Sequence, residues 1–253
     1  MSEKVPHANY YDWLNKTSIL SSSILIVSII ISVFLLVLEF SKFSEIAIKE
    51  FFNCSLAFFS VIYFVIDSIQ SYVFHKAENI RTLDFIDNSL DSSFSEKNST
   101  DYFSNDEVKA GINKLGINNF ENVFFTKCIT SKMLPKEYIK LSIIFIIFLS
   151  VCIFSNKEII TLVFQSALPF TIILQTFKLY KLNSKVKSVF DNYKLIFKSV
   201  NEENIIQNII NNIIIYEKNL SWAGILLDSK MFNKMNAELS LEWEKIKQKH
   251  CKV

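Results

Sequence analysis

The chain has 253 residues, half of them hydrophobic, with 27 basic side chains against 25 acidic ones and a formal net charge of +2. So small a charge gives no electrostatic argument for a nucleic-acid binder, and three Gly and three Pro leave too little turn chemistry for a β-rich fold. The expectation is an all-α membrane protein, because the apolar residues gather into four long segments.

Residues 1–16 form a polar N-terminal segment containing Glu3 and Asp12. No small-residue cleavage site closes the apolar run behind it, so that run reads as a retained anchor and not as a signal peptide. The first span runs from about Thr17 to Leu38 and the second from about Ile46 to Ile66, with a short turn near Ser41 to Glu45, which gives one hairpin over residues 17–66. A polar segment, residues 67–137, precedes a third span from about Tyr138 to Phe154 and a fourth from about Ile159 to Tyr180. The tight turn Ser155-Asn156-Lys157-Glu158 joins these into a second hairpin over residues 138–180, and residues 181–253 form a polar tail. Each span approaches the ~20 apolar residues that cross a bilayer core.

Lys and Arg near the span ends set the orientation. Lys76 and Arg81 follow span two, Lys132 and Lys136 precede span three, and Lys178, Lys181, Lys185 and Lys187 follow span four, whereas the opposite turns offer Lys42, Lys49 and Lys157. Both termini and the central segment are therefore expected on the cytoplasmic side of the membrane.

Within the central segment, Ile69, Val73, Ala77, Ile80, Leu83 and Leu90 recur at helical spacing, so span two should continue as an amphipathic helix. Residues 91–105 read as a loop, and Ser104 with Glu107 has the spacing of a capping box that would start a helix toward Leu115. A further periodic run, Phe120 to Met133, leads to Pro135 and back into the membrane. In the tail, Val186, Val189, Phe190, Tyr193, Phe197 and Val200 make one apolar stripe. Ile205, Ile206, Ile209, Ile210 and Ile213 make another, behind a second capping-box pair, Ser199 and Glu202. Such faces must be buried, against the helix after span two or against copies in neighbouring subunits.

The spans carry polar seams. Thr17, Ser21, Ser28, Ser32 and Glu39 fall within about a 60° arc of a helix advancing ~100° per residue. Small hydroxyl residues allow close helix packing, and a terminal ionisable group points to an aqueous path, so the stripe is a candidate pore lining. Span two offers Asn53, Ser60 and Asp67, with Gln70 beside them, and span four offers Thr161, Gln165, Pro169 and Thr176. A four-helix bundle has a filled core, so a conducting path requires a homo-oligomer with one seam per subunit facing a central axis.

Asp84, Asp87, Asn88 and Asp91 share a helix face that is either solvated or suited to a divalent cation or basic partner. His75 with Glu78 resembles an acid/base pair but has no nucleophile or metal beside it. Glycine-rich phosphate loops and Cys/His clusters are absent from the sequence. The four cysteines lack the spacing of a metal site or disulfide framework. No catalytic residue, metal or cofactor is expected.

Ala77, Ile80 and the pair Asp84-Phe85 after span two, together with the tail YEKNLSWAGILLDSKMFNKMNAEL from Tyr216 to Leu239, resemble the SMODS-associated four-transmembrane (S-4TM) effectors of bacterial antiphage defence, including the Hailong-type channels. Arg81 stands where the pattern of that family has Gln. The resemblance implies a tetrameric channel that depolarises the inner membrane in abortive infection. It also implies control by a nucleotide or oligonucleotide made by a partner nucleotidyltransferase. The competing reading is a non-conducting membrane adaptor or sensor that tethers a soluble partner and uses its polar seams only for packing.

Overall fold

The structure, a computed structural model, describes residues 5–41, 46–97, 99, 105, 107–154, 168–198 and 202–251. It is all-helical: α1 (Ala8–Phe40), α2 (Ile46–Leu90), α3 (Ile112–Phe154), α4 (Leu168–Ile196), α5 (Glu202–Ala223) and α6 (Ser229–His250), with no strand among the described residues. The chain divides into two compact units. An apolar unit comprises Trp13–Val73 and Lys136–Thr176, and a helical module comprises Met1–Asp12, Phe74–Pro135 and Phe177–Val253.

In the apolar unit, two helices, α1 and α2, are long and apolar enough to cross a membrane. Their most apolar windows are only 17% and 6% buried, the opposite of a soluble core helix. Ile19, Ile30, Phe58 and Phe64 point outward with more than half of their surface exposed. The two helices pair antiparallel: Phe34 meets Phe52 edge to face at 5.0 Å, and Gln70 Nε2 donates to Ser21 Oγ at 3.1 Å. The C-terminal half of α3 likewise exposes Ile139, Ile143, Ile146 and Ile153. Residues 155–167, which include the second hairpin's turn and the first part of the fourth expected span, lie outside the described residues.

The helical module is organised around the N-terminal half of α3, where every residue from Lys114 to Phe120 is buried. Phe120 is the hub. Its ring lies 5.1 Å from Tyr193 and 5.3 Å from Phe190 on α4, 5.9 Å from Phe197 just past the end of α4, and 5.3 Å from Trp243 on α6. Gly116 marks the closest approach of α5, since a Cβ there would stand 2.8 Å from Ile209 Cδ1 and 3.1 Å from Cγ1 and Cγ2. The left-handed Gly224 (φ +58°) ends α5 with its N–H on the Leu220 carbonyl, a conformation that glycine adopts without a Cβ clash. Asp228 caps α6 by accepting the Met231 N–H at 3.0 Å.

One local expectation is corrected and two are extended. The polar N-terminal segment already belongs to a helix from Ala8, because it has partners on α2 that hold it. The capping-box start at residues 104–107 does not occur: the helix begins at Ile112, and the Glu107 carboxylate is drawn instead to Lys247. The run Phe120–Met133 and the third span are one helix, which passes through Pro135 despite the lost backbone donor. Ser104 and Ser199 lie outside the described residues.

Candidate functional site

The polar seam of α1 is built by a helix whose other faces are apolar, so each hydroxyl must find a partner on its own backbone or on a neighbouring helix. Thr17 Oγ1 donates to the Trp13 carbonyl at 3.0 Å, Ser21 Oγ to Thr17 at 3.2 Å and Ser32 Oγ to Ser28 at 2.8 Å. Ser21 and Ser28 are buried in the apolar unit, whereas Thr17 and Ser32 are half-buried. On α2, Ser60 Oγ bonds the Leu56 carbonyl at 2.9 Å, Asp67 is exposed and Asn53 is half-buried. Two seam atoms, Ser28 Oγ and Asn53 Oδ1, are buried with no hydrogen-bond partner among the described residues. The side chain of Glu39, and Thr161 and Gln165 altogether, lie outside what is described.

A second polar constellation sits in the helical module. The α2 stripe Val73, Ala77, Ile80 and Asp84 turns inward, and Arg81 lies on the same side, so a charge is carried into the core and must be matched. Arg81 Nε donates to Glu78 Oε2 at 3.0 Å, and its Nη2 meets Glu217 Oε2 from α5. Thr82 Oγ1 adds a bond to the same Glu217 oxygen at 3.4 Å, and the Tyr11 hydroxyl from α1 donates to Glu78 Oε1. Burial opposes the charge of Arg81, but Glu217 and Glu78, and beyond them Tyr216 and Tyr11, hold its pKa well above the ordinary arginine value. Glu217 Oε1 remains buried without a hydrogen-bond partner among the described residues.

His7 stands beside this network, 4% exposed and edge-on to the Tyr11 ring at 5.5 Å. Burial lowers its pKa to about 4. The Asp84 carboxylate opposes that shift, Arg81 assists it and Glu78 opposes it. The imidazole is therefore neutral at physiological pH. Tyr216, next to Glu217, turns its hydroxyl to Thr126 Oγ1 at 2.8 Å, which ties α5 to α3.

Within the acidic run only Asp91, one residue past the end of α2, is exposed. Asp84 and Asp87 are 0% and 2% exposed because they hold the loop that follows the helix. Ser99 N–H donates to Asp84 Oδ1 at 2.7 Å, while Ser92 Oγ, Phe94 N–H and Ser95 N–H donate to Asp87. Burial disfavours the charged form of Asp87, yet the hydrogen bonds from Ser95, Phe94 and Ser92 prevail and hold its pKa at about 2. Farther along, Asn105 Nδ2 reaches Asn118 Oδ1 at 2.8 Å and Glu121 at 2.7 Å. The buried Lys247 of α6 joins Asn105 Oδ1, Glu107 and Glu244 at 3.2, 2.9 and 3.0 Å. His75 is exposed and turned away from this chemistry, so it does not pair with Glu78.

Sequence reasoning treated Arg81 as an orientation marker and missed its role. The legible signal was its position: four residues after Ala77, on a face otherwise apolar, an Arg requires buried carboxylates. Nothing in the local pattern named Glu217 as one of them. No protein-family model, curated protein or solved structure matches this chain.

Proposed function

We propose that the chain is a non-catalytic, multi-span membrane effector that assembles as a homo-oligomer and opens an ion path across the bacterial inner membrane. The observation that carries this reading is the α1 seam: Thr17, Ser21, Ser28 and Ser32 share one arc of a helix whose outward faces are apolar, and Ser28 Oγ, like Asn53 Oδ1 of the α2 seam, is buried with no hydrogen-bond partner among the described residues. Polar atoms left unmatched in an apolar surround favour water or a neighbouring subunit. The third and fourth helices complete two hairpins in this reading, consistent with the outward-facing isoleucines of α3. Depolarisation then stops the growth of an infected cell, and a nucleotide or oligonucleotide from a partner nucleotidyltransferase sets the channel open or closed. Both termini and the helical module face the cytoplasm, and each of α1, α2, α3 and α4 contributes residues to both units. A rearrangement of the module around Arg81 is thereby carried into the spans along the helices themselves.

The second reading, a non-conducting adaptor, draws on the bonds that Ser21, Ser32 and Ser60 make to their own helix and that Gln70 makes to Ser21, which satisfy those seam positions without water. Membrane potential separates the two. In bacteria expressing the chain, a depolarisation-sensitive dye should report collapse with wild type and its loss with Ser32→Leu at matched membrane abundance. Equal depolarisation by both proteins removes the α1 seam from the path.

A further inference from the structure

Among the described residues of the helical module, one face of α5 is left without a partner. On α5, Ile209 is fully buried against α3, whereas Ile206, Ile210 and Ile214 are 43%, 42% and 60% exposed. Positions i, i+4 and i+8 make a ladder about 12 Å long at 1.5 Å per residue. The sequence reading placed Ile206 and Ile210 in one stripe with Ile209; the helix instead turns them outward beside it. The stretch around them is unusual for an outward face, because no charged residue occurs from Asn204 to Tyr216. Asn204, Gln207, Asn208 and Asn211 are the exposed polar residues there.

We infer that this face is a contact between copies of the same chain, with the Ile206–Ile210–Ile214 ladder of one α5 packed on that of another and the amides closing its rim. The residue types select the occupant. In a symmetric contact each side chain meets itself or its near neighbours, and an amide both donates and accepts, so it pairs with its own copy. A Lys or Glu would instead be repelled by its copy, and this run contains neither. A membrane-surface helix would carry Lys or Arg along its polar face, and an oppositely charged partner would find nothing to pair with. Three isoleucines and their flanking amides are far fewer than the roughly 20–30 residues a side of a free-standing interface, so the contact aligns copies that the bilayer already holds close together, which rests on the membrane reading above.

Full-length protein in native membranes tests the contact. Ile210→Cys and Ile214→Cys, treated with a short thiol cross-linker, should yield dimer bands several-fold stronger than wild type, whose own cysteines set the background, and than Lys230→Cys on the exposed side of α6. Ile206→Glu/Ile210→Glu, which places like charges against their copies at positions already in solvent, should reduce the assembly to smaller species while far-ultraviolet circular dichroism stays unchanged. Ile210→Gln should retain the assembly. Cross-linking of the α5 variants no stronger than at Lys230→Cys, capture of a different protein, or an unaltered assembly in the double glutamate variant would overturn the inference. Cross-linking through α5 in a protein that carries no current would leave the contact standing and remove conduction alone.

Discussion

Arg81 and Glu217 are separated by 136 residues in sequence and form a mostly buried ion pair that joins α2 to α5. The guanidinium also serves Glu78, so two carboxylates depend on one cation. Arg81→Gln should therefore cost about 2–4 kcal/mol of stability, because it leaves Glu78 and Glu217 inside the module without their counter-charge. Arg81→Gln/Glu217→Gln should recover much of that loss. Thermal unfolding of the detergent-solubilised protein measures both, and a double mutant no more stable than Arg81→Gln would show that the pair is not coupled.

Acid should weaken the module in two steps. The folded pKa of His7, about 4, lies below its ordinary 6.5, so the unfolded chain binds the proton more readily and stability falls as pH drops from 6.5 toward 4. The folded pKa of Asp87, about 2, lies below its ordinary 3.8, so its contribution is present above 3.8 and is lost toward 2. His7→Gln should flatten the first step and spare the second, and Asp87→Asn should do the reverse. Unfolding curves that keep both steps in either variant would contradict these assignments.

At the α3–α5 crossing, Gly116→Val forces a side chain into Ile209, which is 0% exposed and has nowhere to move. A loss of about 2–3 kcal/mol is expected. Combining it with Ile209→Ala, itself worth about 2–5 kcal/mol, should be less damaging than the sum of the two changes. Additive losses would mean that the two positions do not compete for space.

Ser28→Ala discriminates between the roles of the seam. It deletes a buried hydroxyl that has no partner among the described residues, so the folded protein should be unchanged or stabilised by about 1 kcal/mol. A packing seam then leaves every activity intact, whereas a conducting seam loses current. Current and unfolding measured on one preparation give the answer.

Helical class, the apolar nature of α1 and α2, and the passage of α2 from apolar residues into an amphipathic stretch were legible because unbroken apolar runs and three- and four-residue spacings report them directly. The continuity of α3 through Pro135 was not, since proline is locally a helix stop and only packing on both flanks overrides it. The inward turn of Asp84 and Asp87 was also hidden, because a helical acidic run reads as solvated until the loop that donates to it is placed. The Lys247 bonds to Asn105 and Glu107 span about 140 residues, a separation that no local pattern encodes.

Conduction by the purified full-length protein in planar bilayers tests the central claim most directly. The account predicts discrete, cation-preferring current steps, reduced in amplitude by Ser32→Leu and shifted in reversal potential by Glu39→Gln. Verified insertion with a silent membrane across the voltage range, and with bacterial nucleotide extracts added to either side, would contradict it and leave the chain an adaptor.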